Sequence, residues 1–310
     1  MTFDPSNYQD TILIAGGDYS ADFFSQGHAP PPLWERANLD QPDIVRSCAV
    51  RFLQAGADIL VTPTDRANEV ALAEMSASGE ISRQQITAIN RQGAMLCRQA
   101  VAACGQSSAK VFGGVGPVEL LLSLGEIKED VLFAAYAAQV EALADGGVDA
   151  ILCRGFTEIQ ALCIAVEAAQ KNVSPDLSVV GSMVFDCGAD FTETAMGVTV
   201  PQACQGLVQA GATIVGCDHG EYPDAAASVV TLLRASCDLP IWAEINAGQP
   251  ELRDGRAVYL EPPEQFGTRL EALAASGASF IGGAGGATAQ HVAALSQARR
   301  RYLEKVRRRG

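Results

Sequence analysis

Four stretches of the chain repeat one pattern of polar and apolar positions. In each, a segment of helical composition ends at a small residue plus glycine and passes into a run of β-branched or aliphatic residues. The stretches are 53–60, 144–152, 208–215 and 274–281. Glycine suits the left-handed residue that closes a helix, and a short apolar run suits a strand buried on both faces. The pattern predicts four junctions from helix to parallel strand. The glycines at these junctions are Gly56, Gly147, Gly211 and Gly277.

Further apolar runs supply four more strands, and helical segments follow them. The runs are 11–15, 110–113, 177–184 and 239–244. The clearest helical segments are 43–54, 131–144 and 157–170. Eight alternating strand and helix units in a chain of 310 residues predict a single (β/α)8 TIM barrel, with a doubly wound open sheet as the structural alternative.

Composition fits one large soluble domain. With 48% apolar and 19% charged residues and no linker-like tract, the chain is expected to form one barrel over residues 1–310. Its 36 acidic residues exceed its 22 basic ones, which argues against a nucleic-acid partner. A basic C-terminal tail, residues 299–310, is either a docking surface for an acidic carrier protein or the solvated end of a helix.

Cysteine usage and the N-terminal sequence predict a cytoplasmic protein. Nine scattered cysteines without a C-x-x-C pair indicate reduced thiols. The first ten residues lack the basic start and apolar run of a secretion signal, and no apolar stretch has membrane-spanning length. We therefore expect no membrane partner.

Polar residues follow most of the predicted strands, where barrels place their chemistry. Six of the eight strand ends carry an ionisable side chain, although loop ends are often polar for no functional reason. The candidate site residues are Asp18, Thr62, Asp65, Arg154, Asp186, Cys217, Asp218, His219, Glu244, Asn246 and Gly283.

Motifs at these strand ends resemble the homocysteine S-methyltransferase family, which includes betaine-homocysteine methyltransferase and the homocysteine domain of cobalamin-dependent methionine synthase. The motifs are Val-Thr-Pro-Thr-Asp-Arg-Ala-Asn at 61–68, Val-Phe-Gly-Gly-Val-Gly-Pro at 111–117, Ser-Met-Val-Phe-Asp at 182–186, Asn-Ala-Gly-Gln-Pro at 246–250 and Gly-Gly-Ala-Gly-Gly-Ala-Thr at 282–288. The resemblance implies a (β/α)8 barrel in which zinc, held by three cysteines, converts the homocysteine thiol to a nucleophilic thiolate.

The zinc ligands that the resemblance implies are largely missing. The family turn Gly-Gly-Cys-Cys-Gly after strand eight reads Gly-Gly-Ala-Gly-Gly here, so Ala284 and Gly285 replace the cysteine pair. His219 falls where the third cysteine would be, and together with Cys217 it supplies at most two ligands. Three protein ligands are usual for catalytic zinc, so no zinc is expected.

Proton transfer is the role that we predict for the residues after strand six. Histidine titrates near neutral pH, which makes His219 a candidate general acid or base. Asp218 and Asp18 are the carboxylates predicted to assist it. A purely structural histidine is the alternative.

The predicted substrate pocket also departs from the family. The resemblance implies a glutamate after strand four that binds the amino group of homocysteine, whereas this chain has Arg154. Arginine would favour a carboxylate or phosphate, unless it pairs with a nearby acid such as Asp186 or Glu244. The other predicted substrate-binding residues are Asp65, Thr62, Asp186, Glu244, Asn246 and Gly283.

These departures favour a divergent methyltransferase that works without zinc on a small-molecule substrate or methyl carrier other than homocysteine. A corrinoid on a separate carrier protein is one candidate methyl donor, and no other cofactor is predicted. One alternative is a lyase or hydrolase of a carboxylated or phosphorylated metabolite, with the glycine-rich turn 282–286 binding the anion through its amides. Another is a non-catalytic paralogue that binds a small molecule.

Overall fold

Eight parallel strands form the barrel that the sequence predicts. The computed structural model describes residues 3–8, 11–27, 34–75, 82–219, 222–253 and 256–308. The barrel strands are β1 (Leu13–Ile14), β2 (Ile59–Val61), β3 (Lys110–Val115), β4 (Ala150–Phe156), β5 (Ser178–Val184), β6 (Ile214–His219), β7 (Ile241–Ile245) and β10 (Phe280–Gly283). Their spatial order is β1-β10-β7-β6-β5-β4-β3-β2, and a parallel bridge from Ala15 to Ile59 joins the two ends.

Helices alternate with these strands and cover the outside of the barrel. They are α1 (Tyr19–Ser25), α2 (Ala37–Asp40), α3 (Pro42–Gln54), α4 (Glu69–Met75), α5 (Arg83–Ala103), α6 (Glu129–Asp145), α7 (Ile159–Asn172), α8 (Val200–Ala210), α9 (Ala226–Ser236), α10 (Pro263–Ala275) and α11 (Ala289–Arg307). The three helical segments singled out from the sequence correspond to α3, α6 and α7 within two residues at each end.

The four junction glycines have the left-handed conformation that the sequence pattern requires. Their φ angles are 100° at Gly56, 87° at Gly147, 98° at Gly211 and 105° at Gly277. A residue with a Cβ atom adopts this region only at an energetic cost, so glycine there ends the helix and turns the chain into the next strand.

Aromatic side chains fill the barrel interior. The indole of Trp242 stacks between Phe112 and Phe280, with ring centroids 5.6 and 6.0 Å away. Phe3 packs edge-on against Phe112 at 5.1 Å. Side chains alternate between the two faces of a strand, so the residue two positions after Trp242 also faces inward, above this aromatic layer.

A short antiparallel hairpin interrupts the regular alternation after β7. It consists of β8 (Pro250–Arg253) and β9 (Arg256–Tyr259), with Pro250 paired to Tyr259. This hairpin was not among the elements that the sequence predicted.

The basic residues near the C-terminus continue helix α11. Arg299 donates to the carbonyl oxygen of Ile12 at 3.2 Å and pairs with Asp58, both of which precede barrel strands. These contacts place the tail at the end of the barrel opposite to the carboxyl ends of the strands. None of the helices in the described ranges is both long enough and apolar enough to span a bilayer.

Candidate active site

A cavity of about 380 Å³ opens at the carboxyl ends of the barrel strands. Its size lies within the range usual for small-molecule sites. Seven residues predicted from the sequence line it: Asp18, Asp65, Arg154, Asp218, Glu244, Asn246 and Gly283. The strand-end rule therefore predicted all four carboxylates of this wall and one of its two guanidiniums.

Other predicted residues lie elsewhere. Thr62 is buried, and its Oγ1 accepts a hydrogen bond from Gly114 N at 2.9 Å, which ties β2 to β3. Asp186 is half-buried and does not line the cavity. His219 ends β6 beside Ile245, but its side chain lies outside what the structure describes. The proton-transfer role of His219 thus stays a prediction.

Cys217 does not present a reactive thiol to the cavity. It is fully buried in the hydrophobic core, where burial, reinforced by nearby carboxylates, raises the pKa of its thiol well above the usual range. Among the residues in the described ranges, no cluster of three or more His, Cys, Asp or Glu side chains is arranged to hold a metal ion.

Arg154 is paired with two carboxylates. Its Nε and Nη2 donate to the two oxygens of Asp65 at 2.8 and 2.9 Å, a bidentate arrangement. Its Nη1 donates to Glu244 Oε1 at 2.7 Å. Of the two acids that the sequence analysis offered as alternative partners, the structure selects Glu244, and it adds Asp65. An anion at this position would have to share the guanidinium with both.

Asp218 and Glu244 lie side by side on neighbouring strands of the cavity wall. The two residues are in register between β6 and β7, and the Asp218 carboxyl is close enough to raise the pKa of Glu244. Burial is the main reason that the pKa of Glu244 rises, to about 8; Asp218 adds to the rise, whereas Arg154 and Trp242 oppose it. Asp218 also accepts a hydrogen bond from Gly155 N at 2.6 Å.

Both carboxylate oxygens of Asp18 accept hydrogen bonds from backbone amides. One of its oxygens caps α1 by accepting from the amides of Ser20 and Ala21, at 2.8 and 3.3 Å. The other accepts from Gly286 N at 3.1 Å, which fastens the first strand end to the last. Both oxygens are therefore engaged, as expected of a helix cap.

The amides of the glycine-rich turn already have acceptors within the protein. Gly285 N donates to Asn246 Oδ1 at 2.8 Å and Ala284 N to the carbonyl oxygen of Ile245 at 2.8 Å. Gly283 N donates to Gly16 O, and the amide of Gly286 faces the Asp18 carboxylate. A phosphate would have to displace these bonds, so the turn does not have the free amides of an anion site.

Tyr259, at the end of the hairpin, fills the space beside Gly285, one of the two positions of the family's cysteine pair. A Cβ atom built on Gly285 would come within 2.4 Å of Tyr259 Oη, and one on Gly286 within 2.3 Å of Tyr259 Cβ. A cysteine at 285 would collide with this ring, and Ala284 has no donor atom. The residues present do not fit the three-cysteine zinc site that the family implies.

The cavity wall is acidic and partly aromatic. Four carboxylates line it, against two guanidiniums. Both guanidiniums are neutralised, since Arg154 binds Asp65 and Glu244, and Arg66 pairs with acids outside the wall. Tyr19 and Trp34 contribute aromatic surface to the wall. Trp34 was not predicted, because the short 3-10 helix that it begins lies far along the chain from the end of β1.

Comparison with known proteins agrees with the fold and the motifs. The family model described as homocysteine S-methyltransferase matches residues 14–299. Methionine synthase of Mycobacterium tuberculosis is 23% identical over 270 residues, 85% of this chain and 22% of the relative, so the chain spans about a fifth of that protein. Betaine--homocysteine S-methyltransferase 1 of Sus scrofa is 26% identical over 226 residues, 72% of this chain and 76% of the relative.

A solved structure shares the barrel. The metallated form of MmuM, a homocysteine methyltransferase from Escherichia coli, superposes with a TM-score of 0.75 at 20% identity, covering 92% of this chain and 96% of that chain. At this identity the likeness shows the fold alone. Because the family model covers nearly the whole sequence, the chain belongs to the homocysteine S-methyltransferase family.

Proposed function

We propose that this protein is a methyltransferase of the family that works without the three-cysteine zinc site and on a substrate other than homocysteine. The observation that carries the proposal is the position of Tyr259, which occupies the space beside Gly285 where a metal-binding thiolate would be needed. The rest of the strand-end framework is kept around an open cavity, which favours a changed reaction partner over simple loss of function.

The charge of the cavity favours a substrate with a cationic group. Carboxylates outnumber guanidiniums in the wall, and Arg154 already binds two acids. An onium group beside Trp34 and Tyr19 would gain both electrostatic attraction and cation–π contact. The betaine named in one relative is such a quaternary ammonium compound. We therefore place a cationic methyl donor in the cavity.

The sequence predicts an anionic group of the substrate near Arg154. Such a group could bind there only by sharing the guanidinium with Asp65 and Glu244. A zwitterion such as betaine would meet both conditions, its carboxylate reaching the N–H groups that Asp65 and Glu244 leave unused. A corrinoid carrier is the competing methyl donor. Its docking through the basic tail is not supported by the position of Arg299, which contacts the strand starts rather than the cavity.

Metal analysis and ligand-induced thermal stabilisation test the proposal. The protein is produced in zinc-replete medium and assayed with betaine, tetramethylammonium, phosphate, homocysteine and 3,3-dimethylbutyrate, the uncharged-head analogue of betaine. We expect far less than one zinc per chain and stabilisation by betaine that its analogue does not reproduce. Near-stoichiometric zinc, or zinc-dependent stabilisation by homocysteine, would overturn the proposal. Stabilisation by phosphate alone would favour the lyase or hydrolase alternative.

A further inference from the structure

We propose that Asp218 and Glu244 share a single proton in the resting protein and that this carboxyl pair accepts the proton released by the group that attacks the methyl donor. The inference rests on the methyl transfer proposed above. The pair would remove a proton from the attacking group, a step that a metal-bound thiolate does not need because it has already lost its proton.

Geometry forces the two carboxyls together. Asp218 and Glu244 are register partners on adjacent parallel strands, so both side chains project into the barrel at the same height and line the cavity. The Glu244 side chain is only 1% exposed and Asp218 is 7% exposed. Neither group can therefore relieve its charge by turning into water.

Only one oxygen of each carboxyl accepts a hydrogen bond from the protein. Asp218 Oδ2 accepts from Gly155 N at 2.6 Å, and Glu244 Oε1 accepts from Arg154 Nη1 at 2.7 Å. The remaining oxygens, Asp218 Oδ1 and Glu244 Oε2, are buried without a hydrogen-bond partner, and the buried N–H of the neighbouring Trp242 indole donates to neither of them. A proton on one of them supplies the missing donor, because a protonated carboxyl can donate to its neighbour.

The surroundings of Glu244 leave the pair negative overall. Arg154 approaches from β4, and its positive charge is shared between Glu244 and Asp65. The indole of Trp242 lies below, and β10 presents Gly282, which has no charge. Two carboxyls with one proton therefore face the cavity with about one negative charge, while the second charge is suppressed by burial.

The chemistry balances as a methyl transfer from an onium donor to a neutral acceptor that carries N–H, O–H or S–H. The lone pair of the acceptor forms the new bond to the methyl carbon, and the bond from that carbon to the onium atom breaks, its electrons leaving with the amine or sulfide. The acceptor proton passes to the ionised form of the Asp218–Glu244 pair. A base whose pKa lies near the working pH is suited to this step.

Carboxyl NMR tests the shared proton without any substrate. The protein is labelled with 13C at glutamate Cδ and titrated from pH 5 to pH 10, and the Glu244 signal is assigned by its loss in Glu244→Gln. We expect a midpoint above pH 7 for Glu244, which falls by about one pH unit or more in Asp218→Asn. The exposed Asp176→Asn is the matched control and should leave the midpoint unchanged. A Glu244 midpoint in the ordinary carboxyl range, or one indifferent to Asp218→Asn, would overturn the inference.

Proton release on binding betaine tests the accepting role. A bound cation favours the ionised pair, so calorimetry near pH 7 in buffers of different ionisation enthalpy should show protons released by the wild type and none by Glu244→Gln. Betaine binding without proton release would refute the role. A protein that shows the raised, Asp218-dependent midpoint but does not bind betaine refutes the proposed substrate and leaves the shared proton established.

Discussion

Replacing Arg154 with methionine should destabilise the protein in a way that depends strongly on pH. Methionine keeps much of the apolar stem but removes the guanidinium that joins β2, β4 and β7 through Asp65 and Glu244. The two acids lose the same partner but differ in burial, so they do not contribute equally to the cost.

The structure gives the magnitude. The Asp65 side chain is 32% exposed and can return to water when its partner is lost, so its share is small. Glu244 is 1% exposed and would be left as an uncompensated buried charge, a change that costs about 3–5 kcal/mol. At pH 6 Glu244 avoids this cost by holding a proton, because its folded-state pKa is already raised. We therefore expect a loss of about 1–2 kcal/mol at pH 6, typical of broken hydrogen bonds, and about 3–5 kcal/mol at pH 9.

Urea unfolding at the two pH values measures the effect, with Glu244→Gln as the matched background. A neutral amide needs no counter-charge, so Arg154→Met should cost much less at pH 9 when Glu244→Gln is already present. An equal loss at pH 6 and pH 9, or a full loss in the Glu244→Gln background, would refute the reasoning. It would mean that Arg154 stabilises the barrel through Asp65 or through packing alone.

Three further experiments test other parts of the structure. Glu244 has a raised folded-state pKa, so its contribution to stability is present at low pH and is lost as the pH rises from the ordinary carboxyl range through about pH 8. Relative to Glu244→Gln, the wild type should lose up to about 1.4 kcal/mol of unfolding free energy per pH unit in that window. Parallel pH profiles of the two proteins in urea unfolding would contradict this. Gly285→Cys should destabilise by about 1–3 kcal/mol through its clash with Tyr259, and Tyr259→Ala should remove most of that penalty in a thermal-unfolding double-mutant cycle; additive losses would show that Tyr259 does not fill the turn. Gly211→Ala, at φ 98°, should destabilise by about 1 kcal/mol, whereas Gly206→Ala, inside α8 with its nearest contact 3.5 Å away, should stabilise by about 0.5–1 kcal/mol; the same sign for both in denaturant unfolding would refute the conformational argument.

Local signals in the chain were enough to predict the barrel and the carboxylates of its cavity wall. The junction glycines and apolar runs depend only on neighbouring residues, and the strand-end rule then turns sequence position into spatial proximity. Seven predicted residues, among them Arg154 and Glu244, line the cavity for this reason. The hairpin and Trp34 were not predicted, because their positions depend on contacts with residues that are distant in the chain.

The sequence did not show which side chains form hydrogen bonds with each other. The candidate partners for Arg154 included Glu244 but not Asp65, which is 89 positions away and meets it only because the carboxyl ends of β2 and β4 lie at the same end of the barrel, on either side of β3. Likewise Asp18 was read as a proton carrier, whereas its two oxygens cap α1 and bind the last turn. Both Arg154 and Asp18 line the cavity, but their hydrogen bonds are set by distant chain segments.

The sequence by itself determined the fold class, the family and the loss of the cysteine pair, since these follow from residue identity and local order along the chain. Tertiary structure alone decided that Tyr259 occupies the vacated space and that Asp218 and Glu244 must face each other in a buried wall. The physical reason is that burial and charge pairing depend on which segments meet in space, and in a closed barrel the strands that meet come from distant parts of the chain.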